Sequence, residues 1–346
     1  KKLLDDFSKI PDEPGVYFYK DAKGEIIYIG KAKSLKERVS NYFANNAIRK
    51  SKEIVRRASD LGFQKTNTEL TALIAEAELI KTDNPKLNKM LKQYPRSYFI
   101  KLSSSQSFST AVVSSTFDFD GNDYYGPYPN RETANSIKDI IDKAFRLREC
   151  SDKEFIKSKR CYLADIERCL APCVEKSIYQ TYKDEVQRVN EFLSGQNQSA
   201  INRLLNRMKE LSGIQKFEEA AQVRDLVQSI LNQINKSSIL AEPINRANVL
   251  IEINGLKRND YMLLLEGKII FKDYFIDGKY RFEETLNDYF DGATQLVKEL
   301  SNKDLERLKI ALSWLLRNKG KIKVHYLKEY NSIGQLSSQL LFSTSE

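Results

Sequence analysis

The most constraining feature of this sequence is a pair of short β-prone runs, Val16 to Tyr19 and Glu25 to Ile29, with a polar turn at Asp21-Ala22-Lys23-Gly24 between them. Runs this close together read as a β-hairpin. Ser34 then stands as a helix N-cap, with Glu37 three residues on as in a capping box, and predicts a helix through Phe43. A third strand is expected at Phe63 to Thr66. Thr68 caps a further helix through Ile80, which Asp83-Asn84-Pro85 stops. Leu70, Leu73, Ala77 and Ile80 recur at helical spacing and form its expected core face. Residues 1–100 therefore read as one small mixed α/β module on a short antiparallel sheet.

The rest of the chain divides by pattern. Residues 101–174 read as a strand-rich connector with one helix, followed by a segment that holds every cysteine. Residues 175–240 are a helical region, which Ser194-Gly195 and Ser212-Gly213 break into three helices. Residues 241–346 alternate β-rich runs (Val249 to Ile253, Tyr261 to Leu265, Ile269 to Phe275) with helical patterns (Phe282 to Phe290, Lys303 to Leu316), which is a small α+β domain. The fold class is thus α+β and multidomain.

Charge bears on partners. The 56 Lys and Arg exceed the 47 Asp and Glu, a formal charge of +9, and positive potential concentrates phosphate-bearing ligands. No apolar run reaches the roughly eighteen residues of a membrane span, and Lys1 to Lys9 lacks the apolar core of a secretory signal. A cytoplasmic setting without structural disulfides is the expectation. The chain opens without Met, so it reads as a fragment or a processed form.

Six polar residues gather in the first module. Tyr17 and Tyr28 lie on the paired strands; Lys31, Arg38 and Tyr42 follow on a loop and helix; Glu76 lies on the later helix beside Leu73 and Ile80. A carboxylate next to a core face is costly unless it is paired or holds a metal. One carboxylate with waters and phosphate oxygens is a usual way to hold Mg²⁺. A Tyr lowered in pKa by a nearby Lys would supply a base, and Arg38 would fork onto a phosphate. Singly these residues are ordinary, because a strand Tyr usually packs and a helix Glu is usually solvated. The ordered set carries the argument.

Gly15-Val16-Tyr17, then Tyr28-Ile29-Gly30 with Tyr28 eleven residues after Tyr17, resembles the two halves of the GIY-YIG signature. The run Lys31 to Arg38 is similar to the UvrC branch of that family, as are Thr68 to Lys81 and Pro85-Lys86-Leu87-Asn88. The resemblance implies a metal-dependent DNA endonuclease of nucleotide excision repair, acting on damaged or branched double-stranded DNA within the SOS response. It implies Tyr28 as general base, with Tyr17, Lys31, Arg38 and Tyr42 around the phosphate. It also implies Glu76 as the sole protein ligand of Mg²⁺ or Mn²⁺ and Asn88 as a positioning residue. Lys33 and Lys36 are candidate DNA contacts. The retained site is expected to make a single nick, on the 3′ side.

Cys150, Cys161, Cys169 and Cys173 are the only cysteines, spaced C-x10-C-x7-C-x3-C. Such bunching suggests shared ligation, although neither zinc-knuckle nor ferredoxin spacing matches. The resemblance, which extends through Tyr124-Tyr125-Gly126-Pro127-Tyr128 and Arg168 to Cys173, implies a [4Fe-4S] cluster. Four thiolates suit zinc too, and four buried reduced thiols are the plain alternative. Arg146, Arg148, Lys157, Lys159, Arg160 and Arg168 would offset thiolate charge or hold DNA.

Lys216 to Asp225 resembles the UVR motif, a helical hairpin through which UvrC contacts UvrB. Phe217, Ala220, Ala221 and Arg224 fall on one side of a helix and are the candidate partner contacts. The later RNase H-like nuclease and helix-hairpin-helix domains of full UvrC are expected to be absent. His325, the lone histidine, sits in an alternating β run, Lys321 to Tyr326, and reads as structural. The chain thus looks like a shortened UvrC homologue or the UvrC-like half of an exonuclease fusion. Rival readings are a docking factor with an inactive nuclease module and an iron-sulfur redox protein that binds DNA.

Overall fold

The computed structural model describes residues 9–196, 198–234, 240–255, 259–270, 282–292 and 297–340. By its internal contacts the chain forms two compact units. The first joins Lys1–Pro95 to Asn248–Val297 and Ser301–Glu346; the second is Arg96–Ala247 with Lys298–Leu300.

The first unit opens with the expected hairpin, β1 (Gly15–Lys20) and β2 (Ile26–Ala32). Their turn closes with the Gly24 N–H donating to Asp21 O, and Gly24 itself takes φ +83°, where a side chain would be strained. Helix α1 (Leu35–Phe43) begins at the Ser34 cap, whose hydroxyl accepts from Glu37 N at 3.1 Å. A helix that the sequence did not announce, α2 (Arg49–Arg57), follows. Six of its nine residues are charged and only Ile54 is buried, so it offers few apolar positions to read. Strand β3 (Asp60–Lys65) pairs with β1, giving the antiparallel order β2-β1-β3.

Helix α3 (Glu69–Asp83) starts at a capping box of Thr68 and Thr71 and ends at Asn84, which takes the left-handed conformation with φ 44°. Leu70, Ala77 and Ile80 are buried as expected, but so are Thr71, Ala72, Ile74 and Ala75, while Leu73 is only half-buried. The helix is enclosed on more than the one predicted side. The C-terminal part of the unit supplies the extra cover.

That part is a second sheet of order β10-β7-β8-β9. It contains β7 (Asn248–Ile253), β8 (Asp260–Leu265) and β9 (Lys268–Ile270), then helices α10 (Glu283–Phe290) and α11 (Asn302–Arg317), then β10 (Ile322–Tyr326) and α12 (Ile333–Gln339). The expected extension of the third β run to Phe275 lies outside the described residues. Helix α11 lies along α3. Lys81 Nζ meets Glu306 Oε1 at 2.8 Å, with both side chains buried, and Glu78 meets Lys303 at 3.0 Å and also Arg307. Asp260, fully buried, accepts from Thr68 Oγ1 at 3.2 Å at the start of α3. His325 is buried between Tyr330 Oη, 2.9 Å from Nδ1, and Glu252 Oε2, 3.3 Å from Nε2.

The second unit holds β4 (Tyr98–Leu102), β5 (Ala111–Ser114) and β6 (Asp123–Tyr128), ordered β5-β4-β6, and helix α4 (Arg131–Ala144). Two single turns, α5 (Asp152–Phe155) and α6 (Tyr162–Asp165), carry the cysteine segment. Three helices follow where the Ser-Gly pairs divide the sequence: α7 (Tyr179–Leu193), α8 (Gln198–Gly213) and α9 (Phe217–Ile234). Ile100, Leu102, Ile141, Phe145, Tyr182, Phe192 and Ile230 form the centre of its core. No helix among the described residues is long and apolar enough to cross a membrane.

Candidate functional site

The hairpin register assembles one wall of the site. Tyr17 lies opposite Gly30 and Tyr19 opposite Tyr28, so three phenols share a face. Gly30 is a steric necessity, since a Cβ there would sit 2.3 Å from Tyr17 Oη. Tyr42 comes from α1 and closes the ring set: its centroid is 5.7 Å from that of Tyr17 and 5.1 Å from that of Tyr19. Tyr17 and Tyr42 hydroxyls lie 2.8 Å apart, and Arg38 Nε donates to Tyr17 Oη at 3.3 Å. Arg38 itself is exposed.

Tyr17 and Tyr42 are not acidified by the cations around them. Burial pushes Tyr17 up to about 12, with the neighbouring Tyr28 adding to the rise and Tyr42 and Arg38 opposing it. Burial drives Tyr42 up as well, reinforced by Tyr17 and Tyr28. Desolvation wins because the rings pack against one another. Tyr28 is the least buried of the four, and the Lys50 ammonium stands 5.0 Å from its ring centroid.

Helix α3 brings the carboxylate. Glu76 Oε1 accepts from the Lys31 N–H at 3.1 Å, where β2 ends. Burial raises the Glu76 pKa, opposed by that hydrogen bond and by the charges of Lys31, Arg38 and Lys50. A largely buried carboxylate with cations on its approach suits one divalent ion completed by water and phosphate oxygens, so the residues fit such a metal. Asn88 sits at the free edge of β2, beside Tyr28. It accepts from Ile29 N and donates to Ile29 O, both at 2.9 Å. Lys31 Nζ is held by Glu69 Oε1 at 2.5 Å, while Lys33 and Lys36 are exposed on the same segment.

The structure therefore brings Tyr17, Tyr28, Lys31, Arg38, Tyr42 and Glu76 to one place, with Asn88 supporting it. Sequence reasoning misses Tyr19, Lys50 and Glu69. Tyr19 is two residues from Tyr17 and so legible from the strand period; Lys50 lies on the unannounced α2.

The remaining candidates lie in the second unit. Arg148 is a correction: its side chain is buried, and its guanidinium donates to Phe108 O, Cys150 O, Gln106 Oε1 and Asp152 Oδ1. Those bonds tie the cysteine segment to the loop between β4 and β5 rather than reach for phosphate. Arg168 is half-buried, bonded to Asp142 O and Glu149 Oε1. Arg146 and Arg160 are exposed, Arg160 pairing with Asp165 at 2.8 Å.

Cys169 is buried, Cys150 and Cys173 are partly so, and Cys161 is exposed. Burial pushes the Cys169 thiol up to about 11; the other three cysteines add to the rise and the Ala171 N–H opposes it. The thiols are thus neighbours. Among the described residues, however, no three His, Cys, Asp or Glu side chains group as ligands of a metal ion.

Helices α8 and α9 make the expected hairpin, but the four contact candidates do not share one environment. Ala220 is buried and Ala221 partly buried, whereas Phe217 is 64% exposed and Arg224 is exposed, paired with Asp225 at 2.8 Å. Only part of the stripe is left for a partner, because the small residues lie inward.

Comparison with known proteins agrees with this layout. Residues 13–89 match the model of the UvrC-like GIY-YIG domain, and residues 97–192 match that of the UvrC/Cho excinuclease middle domain. The chain is 35% identical over 284 residues to the UvrABC system protein C of Clostridium beijerinckii, covering 80% of this chain and 45% of that protein. It is 32% identical over 295 residues to that of Streptococcus pneumoniae strain JJA, covering 83% and 47%. It spans about half the length of the curated relatives it matches. A solved structure, the GIY-YIG N-terminal endonuclease domain of UvrC from Thermotoga maritima bound to magnesium, is 41% identical. It covers 25% of this chain and 97% of its own, with a TM-score of 0.24.

Proposed function

This chain belongs, over residues 13–192, to the UvrC-type GIY-YIG family, and from that premise we propose that it is a divalent-metal-dependent DNA endonuclease of nucleotide excision repair. The observation that carries the reading is the meeting of Glu76, held by the Lys31 N–H, with the Tyr17–Arg38–Tyr42 cluster at one end of β2.

Each residue has a task in that reading. Arg38 is anchored through Nε on Tyr17, which leaves its terminal nitrogens to fork onto a phosphate. Lys31 adds a second positive charge. Tyr28, the phenol nearest to solvent, takes the proton of the attacking water, with the Lys50 ammonium 5.0 Å from its ring centroid. Tyr17 and Tyr42 orient each other and Arg38. Glu76 would hold a divalent ion, Mg²⁺ or Mn²⁺, which would supply charge stabilisation to the phosphate. Asn88 fixes the strand next to Tyr28.

One such site makes one nick per binding event, and the resemblance supports the 3′ side of a lesion. The exposed Phe217 and Arg224 on the α8–α9 hairpin support docking to a UvrB-type partner. The test is nicking of lesion-bearing, flap and plain duplexes with Mg²⁺ by the wild type and Glu76→Ala. Nicking by the wild type alone supports the reading. Equal nicking by both removes Glu76 from the site, and no nicking by either removes the activity.

A further inference from the structure

Lys31 is gripped at both ends by one helix. Glu76 accepts from its backbone N–H, and Glu69, seven residues earlier and so on the same side of α3, takes its ammonium at 2.5 Å. A lysine side chain is a flexible stem with a point charge, so its location depends on what holds the charge. Glu69 is held in turn. Its other oxygen, Oε2, lies 3.5 Å from the indole Nε1 of Trp314, on α11. Trp314 is nearly buried and is the only tryptophan in the sequence. The ion pairs of Glu78 with Lys303 and Arg307, and of Lys81 with Glu306, lock α11 against α3. Trp314 therefore has a fixed station.

We propose that α11 supports the nuclease site: Trp314 holds Glu69, and Glu69 holds the Lys31 ammonium where the phosphate of the cleaved strand arrives. Trp314 and Glu69 are positioning residues that act through Lys31. Of the three ammonium hydrogens, one is taken by Glu69 and two are left for phosphate oxygens. This role rests on the endonuclease reading above. It also gives the C-terminal segment a function in the chemistry of the N-terminal module, across more than two hundred residues of sequence.

The test is a set of steady-state nicking measurements with Mg²⁺ on the full chain. Glu69→Ala is expected to lower kcat about tenfold with KM for DNA nearly unchanged. Glu69→Gln, which keeps one acceptor, falls between Ala and wild type, and Trp314→Phe, which keeps the packing, shows a smaller loss of the same kind. In a Lys31→Met background Glu69→Ala costs nothing further, because the residue it positions is gone. Losses that multiply in the double variant, or a Glu69→Ala protein at wild-type rate, overturn the proposal. A second readout needs neither metal nor DNA. Emission from the lone Trp314 shifts in Glu69→Ala and, through Glu69, in Lys31→Met. Emission indifferent to Lys31→Met overturns the relay. If the wild type nicks no DNA, the endonuclease reading falls, while the emission still decides whether the relay exists.

Discussion

Asn88 completes the free edge of β2 at Ile29: its carboxamide accepts from the Ile29 N–H and donates to the Ile29 carbonyl, each at 2.9 Å. The strand order β2-β1-β3 leaves β2 at the edge of its sheet, so these two backbone groups have no strand to meet. Asn88→Ala leaves both unpaired in a buried place, at a cost of about 2 kcal/mol or more. The expected outcome is a lower Tm together with slower nicking, since Tyr28 adjoins Ile29. An unchanged Tm contradicts the role.

Tyr17 and Gly30 are matched by contact. A Cβ at Gly30 would lie 2.3 Å from Tyr17 Oη and 2.4 Å from its Cζ. Gly30→Ala is therefore expected to displace the whole ring and lower both Tm and nicking. Tyr17→Phe in the same chain does not rescue it, because the clash with Cζ remains. Tyr17→Phe alone removes an acceptor from Arg38 and a partner from Tyr42, costing about 1 kcal/mol in chemical denaturation.

Glu185 gives the second unit a defined acid response. Burial alone would lift its pKa, but Arg203, the Arg146 N–H and Arg188 override it, and the net shift is downward. Arg203 Nη1 lies 2.7 Å from Oε1 and ties α8 to α7. A depressed folded pKa means stability that is present above the unfolded pKa and lost as pH falls through the folded one. Unfolding of the wild type is expected to grow easier below the ordinary carboxylate range. Glu185→Gln is expected to be less stable at pH 7, by about 2 kcal/mol, and to show a flatter dependence on acid. Parallel pH curves for the two proteins would rule this out.

Arg148 and Lys33 separate structural from surface charge. Arg148→Met is expected to lower Tm and leave the salt dependence of DNA binding unaltered, because its guanidinium is spent within the fold. Lys33→Met is expected to leave Tm alone and reduce the magnitude of the log–log salt slope by about 1. The reverse pattern would place Arg148 on the DNA.

The hairpin, α1 and α3 were legible because local rules fix them: a polar turn at Asp21 to Gly24, a Ser34 cap and a Thr68 cap all lie within a few residues of what they control. The site's membership was legible through the ordered motif. The electrostatics were not. That Tyr17 rises in pKa rather than falls depends on four rings packing together, which spacing does not reveal. Helix α2 escaped notice because only two of its nine residues, Ile54 and Val55, are apolar, too few to mark a core face in the sequence. The cover of α3 by α11, and with it Trp314 beside Glu69, joins segments 245 residues apart, which no local pattern predicts.

The central claim is that Tyr28, Arg38 and Glu76 work as one site around one phosphate. The direct measurement is single-turnover nicking of plasmid DNA, with Mg²⁺, by Tyr28→Phe, Arg38→Met, Glu76→Ala and their pairwise combinations. Residues that act as a unit lose activity once, so each single change is expected to cost on the order of a hundredfold or more, and the pairs little beyond that. Near-wild-type rates in any single variant, or losses that multiply in the pairs, would contradict the account.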